Sequence, residues 1–480
     1  MRKTGIALAI LLATSVAVTG GAWYTGQQLE GLLQEKITEA NRELVRQLPG
    51  SGVRVALASL ERGVFSSDVR YRIELGETAQ DLPASELFLI EHIEHGPLPL
   101  SRLRELQLLP VMAHSQARLE ETVLTAPLFL QTEGAEPLRI DTTLSYDLEA
   151  SVWLNVTPVQ YADAEMSVSF SGFEGEFQVS TERVAGTGRF EHLELIADGA
   201  EPMRMDLQGF QLTVDRHRGP ADLFLGEQSV TLDRLDLHWP GLEPLALSNL
   251  VQRDRLTQTD NMLAGTLNLE VGGLAYAGQP LGVLHMDWSI SDLNAEAVAT
   301  LAELFGDYAE IMDSSTFTGF DSDQSQQLGA ALATVLDDRP SLNLDRLSLK
   351  TANAESHLSF KLGLSKPLSR PAQPHLLFQQ IPHLNLQLDV PKASIRDLAG
   401  YQGQLDASLD PQAVTMNAEM MAERVGNMAV AMELATLQGD SIQTRLDYAD
   451  GQVTLNGQTR PLEEFLAMLS LLAGDGVAIE

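Results

Sequence analysis

Phe190–Met205 reads FEHLELIADGAEPMRM. Apolar residues fall at Phe190, Leu193 and Leu195, a Gly-Ala-Glu-Pro segment follows at 199–202, and alternation restarts at Met203 and Met205. The pattern returns as Leu232-Asp-Arg-Leu-Asp-Leu237 followed by Gly241-Leu-Glu-Pro-Leu-Ala-Leu247. Its first half recurs alone as Leu344-Asp-Arg-Leu-Ser-Leu349, and its second half as Gly134-Ala-Glu-Pro-Leu-Arg-Ile140. Period-two apolar spacing marks a strand with one face turned inward. A proline cannot donate to a ladder, so it belongs at a strand's start or edge. The text therefore predicts a stack of hairpins joined by Gly-Xaa-Glu-Pro turns. The turns begin at 134, 199 and 241, and this uneven spacing argues against a regular solenoid. A repeated Glu-Pro could also form a binding strip; turn chemistry is the simpler reading.

The alternation extends outward in both directions. Val53, Val55 and Leu57 form one strand and Val69, Tyr71, Ile73 and Leu75 a second, with a hairpin-like turn across Glu61–Ser67. Strand-rich text runs from about 85 to 290. The character then changes. Leu293, Val298, Leu301, Leu304, Phe305 and Tyr308 predict a helix from about Asn294 to Met312. Leu328, Leu332, Val335 and Leu336 predict a second one, stopped at Asp337-Asp338-Arg339-Pro340. Strands resume at Leu342–Leu349, Leu358–Leu364 and Leu384–Val390, interrupted by a loop at Pro367–Pro374. Gln412–Leu434 fits either a helix or a strand. Ser441–Tyr448 and Gln452–Asn456 predict a hairpin turning at Asp450-Gly451, before a short apolar helix at Pro461–Ala473.

The first 48 residues differ from the rest. Arg2 and Lys3 precede the uncharged run Ile6–Tyr24, IALAILLATSVAVTGGAWY. A helix of that length spans about 28 Å, close to the ~30 Å hydrocarbon core of a bilayer. Trp23 and Tyr24 would sit at the headgroups, and the leading basic residues would keep the N-terminus cytoplasmic. A cleaved signal peptide is the rival reading, since Gly20-Gly21-Ala22 suits a peptidase. The length of the run favours a retained anchor. From Gln27 to Leu48, Leu29, Leu32, Leu33, Ile37, Ala40, Leu44 and Leu48 recur at helical steps. They do not keep a strict heptad, so docking on the body is expected ahead of a self-association seam.

The expected fold is mainly β (α+β). An N-terminal transmembrane helix precedes an elongated body of long curved antiparallel strands with a few covering helices. The segments are 1–26 (cytoplasmic start and anchor), 27–49 (juxtamembrane amphipathic helix), 50–291 (strand-rich first half), 292–340 (helical) and 341–480 (strand-rich second half with a short helix).

Composition narrows function. The 480 residues carry a formal net charge of -34, with 44% hydrophobic residues and no cysteine. So acidic a surface repels phosphate backbones, which argues against nucleic acid as a partner. Disulfides, thiol nucleophiles and Cys-ligated zinc are excluded. There is no Gly-Xaa-Ser-Xaa-Gly elbow, no P-loop and no His-Glu-Xaa-Xaa-His. The nearest thing to a metal cluster is Glu91-His92-Ile93-Glu94-His95, with His114 the only other histidine in that region. Two histidines three apart lie one turn apart on a helix, or on opposite faces of a strand. His95 is read as ordering the turn at Gly96-Pro97, and His92 as a surface residue. Asp321-Ser322-Asp323 imitates the start of a calcium loop without its glycine or distal glutamate, and is read as a linker. Trp23, Trp153, Trp239 and Trp288 are too scattered for a sugar platform. No catalytic, cofactor-binding or metal-ligating residue is assigned.

Four stretches, in order, carry a resemblance: Gly21-Ala22-Trp23-Tyr24-Thr25-Gly26, Arg62-Gly-Val-Phe-Ser-Ser67, Glu94-His95-Gly96-Pro97-Leu98-Pro99, and Val453-Thr454-Leu455-Asn456-Gly457-Gln458. Together they resemble the YdgA-like family of bacterial envelope proteins of unknown function. The resemblance implies an inner-membrane anchor at residues 6–24 and a periplasmic body, and supplies no catalytic residues. The expected role is non-enzymatic, with a lipid or acyl chain held in an apolar groove. An oligomerising scaffold using Gln27–Leu48 or the 294–336 helices is the alternative, with an unrecognised hydrolase behind it.

Overall fold

The computed structural model of the chain describes residues 33–34, 37–38, 40–42 and 44, then 52–75, 85–132, 134–163, 166–199, 202–312, 322–365, 381–405 and 410–474. The expected anchor at 6–24 and the Pro367–Pro374 loop lie outside the described residues. The protein is mostly β. Among the described residues, 22 strands belong to one open antiparallel sheet with few helices. The chain divides into two compact units. One holds residues 1–228 and 299–329; the other holds 229–298 and 330–480.

In the first unit the strands are β1 Arg54–Arg62, β2 Ser66–Leu75, β3 Ser85–His95, β4 Ala113–Leu119, β5 Leu138–Leu144, β6 Ala150–Val156, β7 Val159–Ala162, β8 Met166–Phe170, β9 Phe173–Val179, β10 Arg183–Ala197 and β11 Met203–Arg218. Neighbours in sequence pair from β1 to β6. Then β6 pairs with β9, and β10 takes β9 along its first half and β8 along its second. Thr157-Pro158 separates β6 from β7 and Ser171-Gly172 separates β8 from β9, so two long strands are each broken once. At the second break the Ser171 hydroxyl accepts the Glu191 and His192 amides at 3.0 and 2.9 Å, replacing the lost rungs.

One face of β1–β6 and β9 is sealed. The helical residues 33–34, 37–38, 40–42 and 44, called α1, lay Leu33, Ile37 and Leu44 on Tyr71, Ile73, Leu87, Leu89, Leu138 and Ile140. Full burial of a side chain of this size contributes roughly 1.5–3 kcal/mol. Asn41 fixes the helix to β1: its Nδ2 donates to Val55 O and its Oδ1 accepts Val55 N–H, both at 2.8 Å. That satisfies an edge strand where it would otherwise offer free backbone groups. The docked arrangement expected of this helix is the one its described residues adopt. Short helices α2 Leu100–Arg104 and α3 Ala126–Gln131 sit in the connections after β3 and β4. Further along, Phe173 covers Gly188, where an added Cβ would lie 2.5 Å from the ring.

Strand β12, Phe224–His238, crosses the boundary between the units. The second unit continues with β13 Leu245–Thr259, β14 Met262–Tyr276, β15 Gln279–Asn294, β16 Ser341–Lys350, β17 Glu355–Gly363, β18 His383–Pro391, β19 Thr436–Gln438, β20 Ser441–Ala449, β21 Gln452–Leu455 and β22 Gln458–Pro461. Between β15 and β16 come α4 Ala295–Met312 and α5 Ser322–Asp337, both divided between the units. Asp323 of the calcium-like triplet lies in the first turn of α5, a helical position rather than a linker.

After β18 the chain forms α6 Lys392–Gln404 and α7 Pro411–Ala431. The ambiguous Gln412–Leu434 stretch is therefore mostly helix. Val414, Ala418, Ala422 and Gly426, four apart, form its buried stripe. Lys392 Nζ reaches Glu423 at 2.7 Å, and Asp397 accepts Thr351 Oγ1 at 2.6 Å and Asn353 N at 2.9 Å, clasping α6 to the β16–β17 turn. The Asp450-Gly451 hairpin forms as expected, with both residues at positive φ. The last helix is α8 Leu462–Gly474.

Candidate functional site

Cross-strand partners share a face of the sheet. In the second unit this lines up three apolar rows. One runs Leu267, Trp288, Leu344, Phe360, Leu386, Leu446. The next runs Gly265, Ile290, Leu342, Leu362, Leu384, Tyr448. The third runs Leu269, Met286, Leu347, Leu358, Leu388, Thr444. The opposite face is polar: Asn268 Nδ2 donates to Asp287 at 2.7 Å, and Asn385 donates to Asp447.

Two margins of the apolar face are sealed. Along β21, Val453 and Leu455 pack with Tyr448 and with Phe465 of α8. At the far end of β20, Ile442 is buried beside Gly426 of α7. Between the margins, Leu267, Met286, Trp288, Leu358, Phe360, Leu386 and Leu388 are only half-buried, and Trp288 meets Phe360 edge-on at 5.4 Å. From β14 to β18 this floor measures about 19 Å at ~4.8 Å per strand. It carries no nucleophile and no acid–base pair. What it can do chemically is take apolar matter out of water.

The first unit holds an ionisable group in its core. Glu91 is 2% exposed and accepts Tyr71 Oη–H at 2.7 Å and the Ser115 hydroxyl. Burial raises its pKa, an effect that the two hydrogen bonds offset only in part. Burial also pushes Tyr71 well above the ordinary phenol value, with the Glu91 carboxylate adding to the rise. The two donors favour the carboxylate and burial favours the acid, and burial is the larger effect.

The histidines flagged in the sequence separate. His92 and His95 lie on opposite faces of β3. His92 is an exposed partner of Asp68 at 2.7 Å. His95 contacts Ser67 Oγ through Nε2 at 3.1 Å and donates its amide to Phe65 O, tying the β1–β2 turn to the chain before Gly96. That glycine is required, since an added Cβ would lie 1.9 Å from Val111 O. His114 Nδ1 sits 3.0 Å from Thr143 Oγ1, a hydroxyl that also accepts Arg102 at 3.2 Å. Burial lowers its pKa, against the raising effect of Asp141. Among the described residues no group of three or more His, Cys, Asp or Glu is arranged to hold a metal ion. The Glu-Pro motifs at 136–137 and 243–244 fall in the connections before β5 and β13; residues 200–201 of the third lie outside the described residues.

A large antiparallel sheet with an apolar face defines a β-rich protein. Residues 1–463 match the family described as bacterial protein of unknown function (DUF945), and the chain belongs to that family. It is similar to protein YdgA of Escherichia coli strain K12, 25% identical over 493 residues that cover 98% of each chain. It is also similar to the uncharacterized protein YihF of the same strain, 22% identical over 496 residues, covering 96% of this chain and 98% of that one. An uncharacterized protein of Haemophilus influenzae is 27% identical over 175 residues, 35% of this chain and 46% of its own. No solved structure matches.

Proposed function

We propose that the protein is a non-enzymatic component of the bacterial envelope, anchored in the inner membrane by residues 6–24 with its body in the periplasm, and that the apolar face of β14–β18 holds an acyl chain. The observation that carries this reading is the half-burial of seven residues in those rows, Leu267, Met286, Trp288, Leu358, Phe360, Leu386 and Leu388, around a buried Leu344. A filled core would bury those rows as completely as the first unit buries Ile73 or Ile140. Support for the anchor comes from the uncharged run Ile6–Tyr24. Among the described residues no helix is long and apolar enough to cross a membrane, which leaves that run untouched and says nothing of strands.

Trp288 makes the proposal testable. In a variant that keeps Trp288 and replaces Trp23, Trp153 and Trp239 with Phe, a brominated fatty acid should quench the remaining fluorescence, and mass spectrometry of the untreated protein should find copurified lipid. A lipid-free protein whose Trp288 emission ignores the brominated chain would sink the groove.

A further inference from the structure

The first unit exposes apolar side chains at one end of its sheet for which its own packing has no use. The β1–β2 turn carries Val64 and Phe65, 84% and 81% exposed. The β3–β4 connection carries Leu106, Leu108 and Leu109, exposed by 82%, 66% and 77%. Both connections lie at the same end, because β1 to β4 pair antiparallel in succession. The His95 amide bonded to Phe65 O at 2.8 Å brings them side by side. A soluble surface rarely gathers so many apolar tips without a partner.

Helix α1 brings the N-terminal chain to that same end. Asn41 is bonded to Val55, near the start of β1. Seven residues earlier in the chain, Gln34 lines a groove of about 540 Å³ with Leu57, Ser59, Leu60 and Arg62, at the strand's far end. The chain thus enters the unit beside the β1–β2 turn. Eight residues separate Tyr24, the end of the apolar run, from Leu33. Even fully extended they reach about 30 Å.

We propose that this rim, formed by Val64, Phe65 and the leucines of 106–109, is seated in the headgroup layer of the membrane that holds the anchor. The apolar tips enter the acyl boundary. The inference rests on Ile6–Tyr24 being a retained anchor.

The chain has no cysteine, so single labels are simple to place. Phe65→Cys and Leu108→Cys report on the rim. Val123→Cys, at a residue 98% exposed in the β4–β5 connection at the other end, is the control. Each full-length variant carries an environment-sensitive dye and is reconstituted into vesicles of phosphatidylethanolamine and phosphatidylglycerol with nitroxide-bearing acyl chains. Labels at 65 and 108 should be quenched roughly twofold or more beyond the label at 123, because the rim enters the bilayer by about 5–10 Å. Flotation with the vesicles and equal quenching at all three sites would overturn the rim and leave the anchor standing. Failure to float would overturn both. Labels shielded from an aqueous quencher yet untouched by the nitroxide lipid would mean that a protein covers the rim, and would overturn the proposal too.

Discussion

The face of β1–β6 in the first unit and the face of β14–β18 in the second are written in the same alphabet of alternating leucine, isoleucine and valine. They end in different states. Ile73, Leu87 and Ile140 are 0%, 1% and 1% exposed, because α1 supplies the opposing layer. In the second unit most of the corresponding positions stop at half-burial, Leu344 at 3% being the exception, while α7 and α8 pack at two margins. The difference teaches that alternation specifies which face is apolar and says nothing of what covers it. One region uses its apolar face to hold itself together, and the other keeps a surplus.

The widest gap between the regions should appear in core truncation. Ile140→Ala is expected to cost ~2–5 kcal/mol, as for a fully buried aliphatic side chain. Leu358→Ala, half-buried on the open floor, should cost roughly half as much or less. Urea unfolding measures both, and equal losses would erase the distinction between sealed and open faces.

The next contrast lies in pH dependence, because only the sealed face contains a carboxyl. Burial raises the Glu91 pKa above its ordinary 4.5, so folding favours the protonated form relative to the unfolded chain. Its stabilising contribution is complete below that value and is lost as pH rises through the raised one. Glu91→Gln should flatten this decline. Tyr71→Phe, which removes a donor from a buried acceptor, should cost ~1–3 kcal/mol. Unfolding midpoints followed from acid to neutral pH decide the point; an unchanged slope in the glutamine variant would mean that Glu91 is solvated.

Asn41→Ala tests how the sealed layer is attached. Losing two hydrogen bonds at a strand edge should cost about 1–2 kcal/mol and speed hydrogen exchange of the Val55 amide. Exchange unchanged at Val55 would mean that the helix is held by its leucines alone.

The smallest effect is expected in the second unit, from Asp397→Asn. Burial raises the Asp397 pKa, but hydrogen bonds from Thr351 and Asn353 outweigh it and hold the carboxyl below its usual 3.8. Its contribution is present above that value and is lost as pH falls through the lowered one. The substitution should therefore shift stability at neutral pH by less than about 1 kcal/mol, as for partly exposed polar contacts, and spare the first unit. A loss as large as that of Ile140→Ala would show the α6 clasp to be central.

Much of the fold was legible from residue spacing, including one signal whose meaning needed coordinates. The recurring step from Phe190 to Leu193, or from Leu344 to Leu347, is three residues instead of two. In the structure the β16–β17 register shifts between Leu344 and Leu347, the mark of a bulge. Phe170, the register partner of Leu193, packs its ring on Phe190 at 5.7 Å. The odd step thus keeps apolar residues on one face across an irregular point. Helix α6 was not readable, because KASIRDLAGYQGQ has few apolar residues and its clasp depends on Thr351 and Asn353, distant in sequence. Glu91 could have been suspected, since it occupies a core slot of the Leu87, Leu89, Ile93 alternation. Its partners could not, because Tyr71 and Ser115 come from neighbouring strands. The open floor was equally hidden, since half-burial depends on which layers are missing.

The pairing of β1 through β6, each with its successor, bears on how such a chain is made. Each new strand finds its partner in the one just completed, so closure loops stay short and contact order stays low. A polypeptide emerging N-terminus first can therefore zip up this region while later segments are still being made.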